Sequence, residues 1–287
     1  MATLLSLKRR IKAAQNVSKT TKAMQMIAVS KLKKAQNAAS DGRPYIEKLS
    51  SIAQNLSLKL DYKYTHEYMK KQENARGITL VLVFAPDKGL CGGLVTNLIR
   101  ELINLDSQNK NCIYLTIGKK IEASTGSLKK EIAASFKFGA ILPSFDMVLP
   151  IVKIVDELYL SKKVQSVKIL STSFLTVFSQ KPKITNILPI EFPSEKPLAS
   201  SFSLFEPDPQ KLLPLLLKHY LEMTIYQQML ESFASEQGSR MIAMQNATDN
   251  ALEIVQELLL AYNKERQEKI TNEILDIGGA SYALTYE

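Results

Sequence analysis

LLSLKRRIKAAQNVSKTTKAMQMIAVSKLKKAQNA, residues 4–38, places an apolar or small side chain at every third or fourth position. The steps run Leu4, Leu7, Ile11, Ala14, Val17, Thr21, Met24, Ala28, Leu32, Ala35 and Ala38. Near the other end the stepping returns as Leu230, Ala234, Gln237, Met241, Met244, Thr248, Ala251, Val255, Leu258 and Tyr262. Such spacing keeps one stripe on one side of a helix and favours a left-handed supercoil. The second pattern, Leu215 to Ile277, would run for roughly 95 Å at 1.5 Å per residue, too long to be buried in one globule. The expectation is a rod made from both chain ends, flanking a compact middle.

Charge placement supports pairing of the ends. Residues 1–40 hold nine Lys or Arg and no acid, whereas residues 231–276 hold nine acids against four bases, a local balance of −5. Helices of opposite sign and matching period suit one another, and because the chain must return past the middle, the pairing would be antiparallel. The total is +9, yet the basic helix carries no aromatic before Tyr45, so nucleic acid is not the expected partner.

The middle reads as strand–helix alternation. Ile78–Phe84 is a buried-strand run, followed by a helix over Leu94–Leu105 and a strand over Cys112–Ile117. A helix over Phe145–Ser161 precedes a strand at Ser166–Leu170, and a weaker strand lies at Pro182–Leu188. The predicted fold class is therefore α/β plus a long antiparallel coiled coil, the middle being Rossmann-like with a mainly parallel sheet. The predicted division is 1–60 first helix, 61–76 connector, 77–190 α/β domain, 191–209 extended connector and 210–287 second helix. Gly42 and Pro44 are expected to kink or restart the first helix, and Gly278-Gly279 to end the second.

Sites of chemistry fail on their own terms. Asp87-Lys88-Gly89-Leu90-Cys91-Gly92-Gly93 sits between a strand and a helix, where phosphate loops lie. It lacks G-x-x-x-x-G-K-[ST], and the dinucleotide fingerprint G-x-G-x-x-G is absent too, so the loop reads as a tight turn. Cys91 has no base nearby in sequence, since the only histidines are His66 and His219. No Cys/His spacing suits zinc, and Asp156-Glu157 reads as a solvated helix face. Two cysteines suit a reducing compartment, and no run of about 18 apolar residues predicts a membrane span. The basic N-terminus flows unbroken into the helical repeat, so it is read as mature structure of a bacterial or processed chain rather than a transit peptide.

Several strings together resemble the gamma subunit of the F-type ATP synthase. They are Leu7-Lys8-Arg9-Arg10-Ile11, Thr21-Lys22-Ala23-Met24-Gln25-Met26-Ile27-Ala28, the Asp87–Gly93 loop and Phe205-Glu206-Pro207. The strongest are Ser235-Glu236 with Arg240-Met241-Ile242-Ala243-Met244-Gln245-Asn246-Ala247-Thr248-Asp249-Asn250-Ala251, then Tyr262–Gln267, Ile270–Ile274 and Ile277. The order is right over the whole chain. Leu94-Val95 departs from the Phe-Asn that the family often carries there, and the chloroplast type's inserted cysteine pair is missing.

The resemblance implies a non-catalytic central stalk without cofactor or metal. Its two terminal helices would stand inside a ring of three alpha and three beta subunits. Its α/β domain would form a foot on the epsilon subunit and the c-subunit ring, at the cytoplasmic face of a bacterial inner membrane. Carried over by motif, Lys22, Met24, Met26, Arg240, Arg266, Gln267 and Thr271 are the expected contacts with the alpha/beta ring. Phe202, Phe205 and Glu206 are the expected foot contacts with the c ring or epsilon.

Overall fold

The computed structural model describes residues 3–59, 66–72, 77–108, 111–192 and 206–284. The chain divides into two compact units, Met1–Ile27 with Met241–Glu287, and Ala28–Arg240. The long helices α1 (Leu4–Lys59) and α5 (Pro209–Leu284) contribute to both.

In the first unit the two helices run side by side and antiparallel. The Thr21 and Thr248 hydroxyls meet at 2.7 Å, and Gln25 Nε2 donates to Gln245 Oε1 at 3.5 Å, so rising numbers on α1 face falling numbers on α5. The covered positions on α1 are Leu7, Ile11, Ala14, Ser18, Thr21 and Gln25, a strict alternation of fours and threes. The apolar stepping had chosen Val17 and Met24, which are exposed. A 3.5-residue seam takes the polar Ser18 and Gln25 in their place. On α5 the seam falls where the pattern put it, with Met244, Thr248, Ala251 and Val255 buried.

The second unit is built on one sheet of β1 (Thr79–Phe84), β2 (Cys112–Ile117), β3 (Ile132–Phe136), β4 (Ser166–Thr176) and β5 (Ser179–Leu188). The spatial order is β3-β2-β1-β4-β5. The β2–β3, β1–β2 and β1–β4 pairs are parallel, and β4–β5 is antiparallel. The helices α2 (Leu94–Gln108), α3 (Lys119–Ser127) and α4 (Val148–Leu160) connect the strands.

All six residues of β1 are buried, as a central strand covered on both faces requires. Val81, Val83 and Ala85 pack with Leu94, Leu98, Leu102 and Leu105 of α2 and Ile121 of α3. On the alternate phase Phe84 meets Phe138, which stacks on Phe233 of α5, with ring centroids 6.3 and 6.1 Å apart. Each such fully buried side chain contributes about 1.5–3 kcal/mol.

The structure corrects several boundaries. α1 is unbroken through Gly42 and Pro44. Tertiary bonds support that turn: Gln227 Nε2 donates to the Ala39 carbonyl (2.9 Å), and Arg43 pairs with Glu231 (3.1 Å). α5 starts at Pro209 and runs through Gly278-Gly279 to Leu284, so the glycine pair does not end it. β3 and α3 were not foreseen. β4 reaches Thr176, and β5 begins at Ser179, because a two-residue turn returns the chain antiparallel on itself.

Gly118 ends β2 with φ +116°, and a Cβ there would lie 1.9 Å from the Ala85 carbonyl oxygen. Gly118→Ala is therefore expected to cost about 3–5 kcal/mol or to prevent folding. Gly126→Ala, in α3 with open space around it, is expected to stabilise by about 0.5–1 kcal/mol. Urea midpoints of the two variants check the pair of outcomes.

Candidate functional site

In a doubly wound sheet, ligands bind beyond the carboxyl ends of the strands, where the strand order reverses. Here the chain leaves β1 toward β2 and β3 and then returns to β4, so the reversal lies between β1 and β4. That place is taken by α5. Ser235 Oγ donates to the Thr172 carbonyl (2.9 Å), and Ser171 Oγ donates to Gln228 Oε1 (2.9 Å). Gly238 permits the approach, since a Cβ there would already lie 3.1 Å from the Phe174 ring. Phe233 closes the floor against Phe138.

The Pro86–Gly93 loop is fixed from its other side by Asp87. Its carboxylate accepts from the amides of Lys119 (2.9 Å), Phe138 (3.2 Å) and Gly139 (2.8 Å). Burial opposes ionisation of Asp87, but the three amides outweigh it and hold the carboxyl below its usual range. The amides of Lys119, Phe138 and Gly139 are thus spent on the protein's own carboxylate. Within the loop Leu90 adopts φ 62° and Gly92 φ 57°, the tight turn expected from sequence.

Cys91 is 1% exposed. Burial raises its thiol pKa, with the nearby Arg240 charge acting the other way, so it is no ready nucleophile. His66 Nδ1 accepts from the Tyr68 amide at 3.2 Å, and His219 Nε2 lies 2.8 Å from the Tyr45 hydroxyl. Both histidines are engaged by neighbouring protein groups. Asp156 is not the solvated residue predicted: it is half-buried, accepts from the Tyr68 hydroxyl at 2.7 Å, and burial raises its pKa. Among the described residues no group of three or more His, Cys, Asp or Glu is placed to hold a metal. Nor is any helix among them long and apolar enough to cross a membrane.

The residues expected to meet partners fall in separate places. Lys22, Met24 and Met26 lie exposed on α1. Arg266, Gln267 and Thr271 are exposed on α5, where Thr271 Oγ1 donates to the Gln267 carbonyl (2.9 Å). The Gln25–Gln245 bond puts Met24 near the level of Gln245. Gln267 stands 22 residues further along α5 (267 − 245), roughly 33 Å at 1.5 Å per residue. These are two patches, not one. Arg240 belongs to the sheet-bearing unit, its side chain only 16% exposed. Glu206 is exposed ahead of α5, and Phe202 and Phe205 lie outside the described residues.

Sequence reasoning missed the end of α5. From Arg266 to Ile277 every residue is exposed, and Ile270, Ile274 and Ile277 recur at helical spacing without cover among the described residues. The signal was present in the string Ile270–Ile277, but the stepping alone did not reveal that the cross-helix seam stops short of it.

Long antiparallel helices joined to an α/β unit whose crevice is closed by its own side chains define a scaffold of helices and sheet. The model of the family described as ATP synthase matches residues 3–284. An ATP synthase gamma chain of Dehalococcoides mccartyi strain 195 is 38% identical, covering 99% of this chain and 100% of the relative. One from strain BAV1 is 37% identical with the same coverage. Among solved structures, the central stalk/c-ring structure of the Tetrahymena thermophila mitochondrial ATP synthase aligns with TM-score 0.60 and 24% identity, over 79% of this chain and 99% of that one. The Euglena gracilis mitochondrial ATP synthase in rotational state 3 gives TM-score 0.69 at 17% identity, over 98% and 94%. The chain belongs to the family of ATP synthase gamma chains.

Replacing Asp87 by Ala is expected to cost about 2 kcal/mol at pH 7 through three lost amide bonds. A carboxyl whose folded pKa is depressed stabilises above the unfolded value of about 3.9 and loses that contribution as pH falls through the folded value. The gap between wild type and Asp87→Ala should therefore hold from pH 7 to about 5 and shrink below about 4, as read by denaturant titration at each pH.

Proposed function

We propose that this chain is the central rotor shaft of an F-type ATP synthase. In this reading ion flow turns a membrane c ring, the shaft turns with it, and its uneven faces drive the catalytic ring of three alpha and three beta subunits through successive conformations. The shaft makes and breaks no bonds. It acts by contacting one beta conformation more favourably than another, which is what shifts an equilibrium. The chain would sit peripherally at the cytoplasmic face of a bacterial inner membrane, attached through the c ring and epsilon.

The observation that carries the reading is the match to the family along residues 3–284, joined to the uncovered Ile270, Ile274 and Ile277 stripe. An apolar helical stripe without an internal partner marks an interaction surface. The mixed polar patch of Arg266, Gln267 and Thr271 beside it suits a surrounding ring. Lys22, Met24 and Met26 would form a second contact level. Residues 77–190 would be the foot, with 1–60 and 210–287 as the helical arms, and 61–76 and 191–209 as connectors. Glu206, with Phe202 and Phe205, would face the c ring or epsilon.

In the assembled enzyme in inverted vesicles, Lys22→Glu with Met26→Glu is expected to lower ATP-driven ion pumping severalfold more than ATP hydrolysis. An unchanged ratio of pumping to hydrolysis would contradict the contact assignment. Saturable ATP turnover by the purified chain alone would contradict the shaft itself.

A further inference from the structure

Arg240 and Glu236 form a buried pair that the family reading would leave as one more surface contact. Arg240 Nη1 lies 2.7 Å from Glu236 Oε1, with side chains 16% and 7% exposed. Arg240 Nη2 donates to the carbonyls of Lys88 (3.3 Å) and Gly89 (3.4 Å), and Ser239 Oγ donates to the carbonyl of Cys91 (2.6 Å). Three consecutive-region carbonyls of the β1–α2 loop are thus held by two adjacent residues of α5.

Glu236 Oε2 is buried with no hydrogen-bond partner. A buried carboxylate oxygen left unsatisfied is costly, and the other oxygen is held by Arg240. Among the described residues its partner is the Arg240 guanidinium, whose second amino group reaches the loop carbonyls. Lysine could not reproduce this, because a single ammonium lacks the planar fork that reaches an acid and two carbonyls together.

We propose that Ser239, Arg240 and Glu236 form an internal latch that closes the Lys88–Cys91 loop over the Cys91 side chain and fastens α5 to the carboxyl end of β1. Arg240 and Glu236 are then positioning residues. Held this way, the loop cannot lift to open the crevice, and displacement of α5 is passed to the sheet through backbone carbonyls. That mechanical consequence rests on the rotor reading; the latch itself does not.

Cys91 reports the latch from within the full chain, and half-buried Cys112 on β2 serves as reference. Alkylation of each thiol is followed by mass spectrometry at fixed pH in wild type, Arg240→Met, Arg240→Lys and Ser239→Ala. Cys91 modification is expected to rise about tenfold or more in Arg240→Met, and by less in Ser239→Ala, with Cys112 unchanged. Arg240→Lys should remain fast.

Loss of the Arg240 charge would by itself raise the Cys91 pKa and slow the reaction, so acceleration reports opening and not thiolate content. If Arg240→Met accelerates both thiols equally, the fold has loosened and Ser239→Ala, which deletes one hydroxyl, decides. Acceleration confined to Cys91 in either variant supports the latch. Equal Cys91 rates in wild type and every variant, or no variant that separates Cys91 from Cys112, overturns it. Because the measurement needs no partner chain, its failure is separate from failure of the rotor reading, which the pumping ratio tests.

Discussion

The passage of α5 across the carboxyl ends of β1 and β4 is the constraint on which the sheet-bearing unit depends. A parallel sheet leaves exposed carbonyls and amides at that edge, and in binding proteins a ligand satisfies them. Here Ser235 answers the Thr172 carbonyl and Asp87 gathers the amides of Lys119, Phe138 and Gly139. The apolar remainder is covered by Phe138 and Phe233. At this edge the Thr172 carbonyl and those three amides are taken by the protein's own side chains.

The other unit uses a different economy of contacts. Its seam is narrow and partly polar: Leu7, Ile11 and Ala14 are followed along α1 by Ser18, Thr21 and Gln25. Small and hydroxylated residues let two helices approach closely, and the Thr21 and Thr248 hydroxyls meet each other while also reaching carbonyls of their own helices. Each helix in such a pair covers only one stripe, so Met26, Ile27 and Leu260 stay exposed. In the rotor reading, outward surface of this kind is what a surrounding ring would contact.

What could be read in the sequence follows from how strongly local pattern and tertiary environment agree. β1 is an unbroken apolar run because it is buried on both faces, and it was legible for that reason. β3 was not, because Ile132-Ala133-Ala134-Ser135-Phe136 is a small-residue edge strand only alternately covered. β5 carries Pro182 between Lys181 and Lys183, which an edge position tolerates. Its antiparallel direction was hidden in a turn without a strong glycine signal. The α1 seam was misread at Val17 and Met24 because hydrophobicity was followed where spacing ruled. The latch was invisible in principle, since Ser239 and the Cys91 carbonyl are 148 positions apart. No local pattern encodes a bond between a helix side chain and a distant loop carbonyl. By contrast the motif strings around Arg240 and Gln267 were legible as resemblance, though not which of them turn inward.

The closed crevice is tested most directly by titrating magnesium–ATP into the full-length chain in a calorimeter, with photo-crosslinking to locate any bound nucleotide. The account predicts no saturable heat and no labelling of Pro86–Gly93. Stoichiometric binding with label on that loop would show that α5 does not fill the strand ends, and would contradict it.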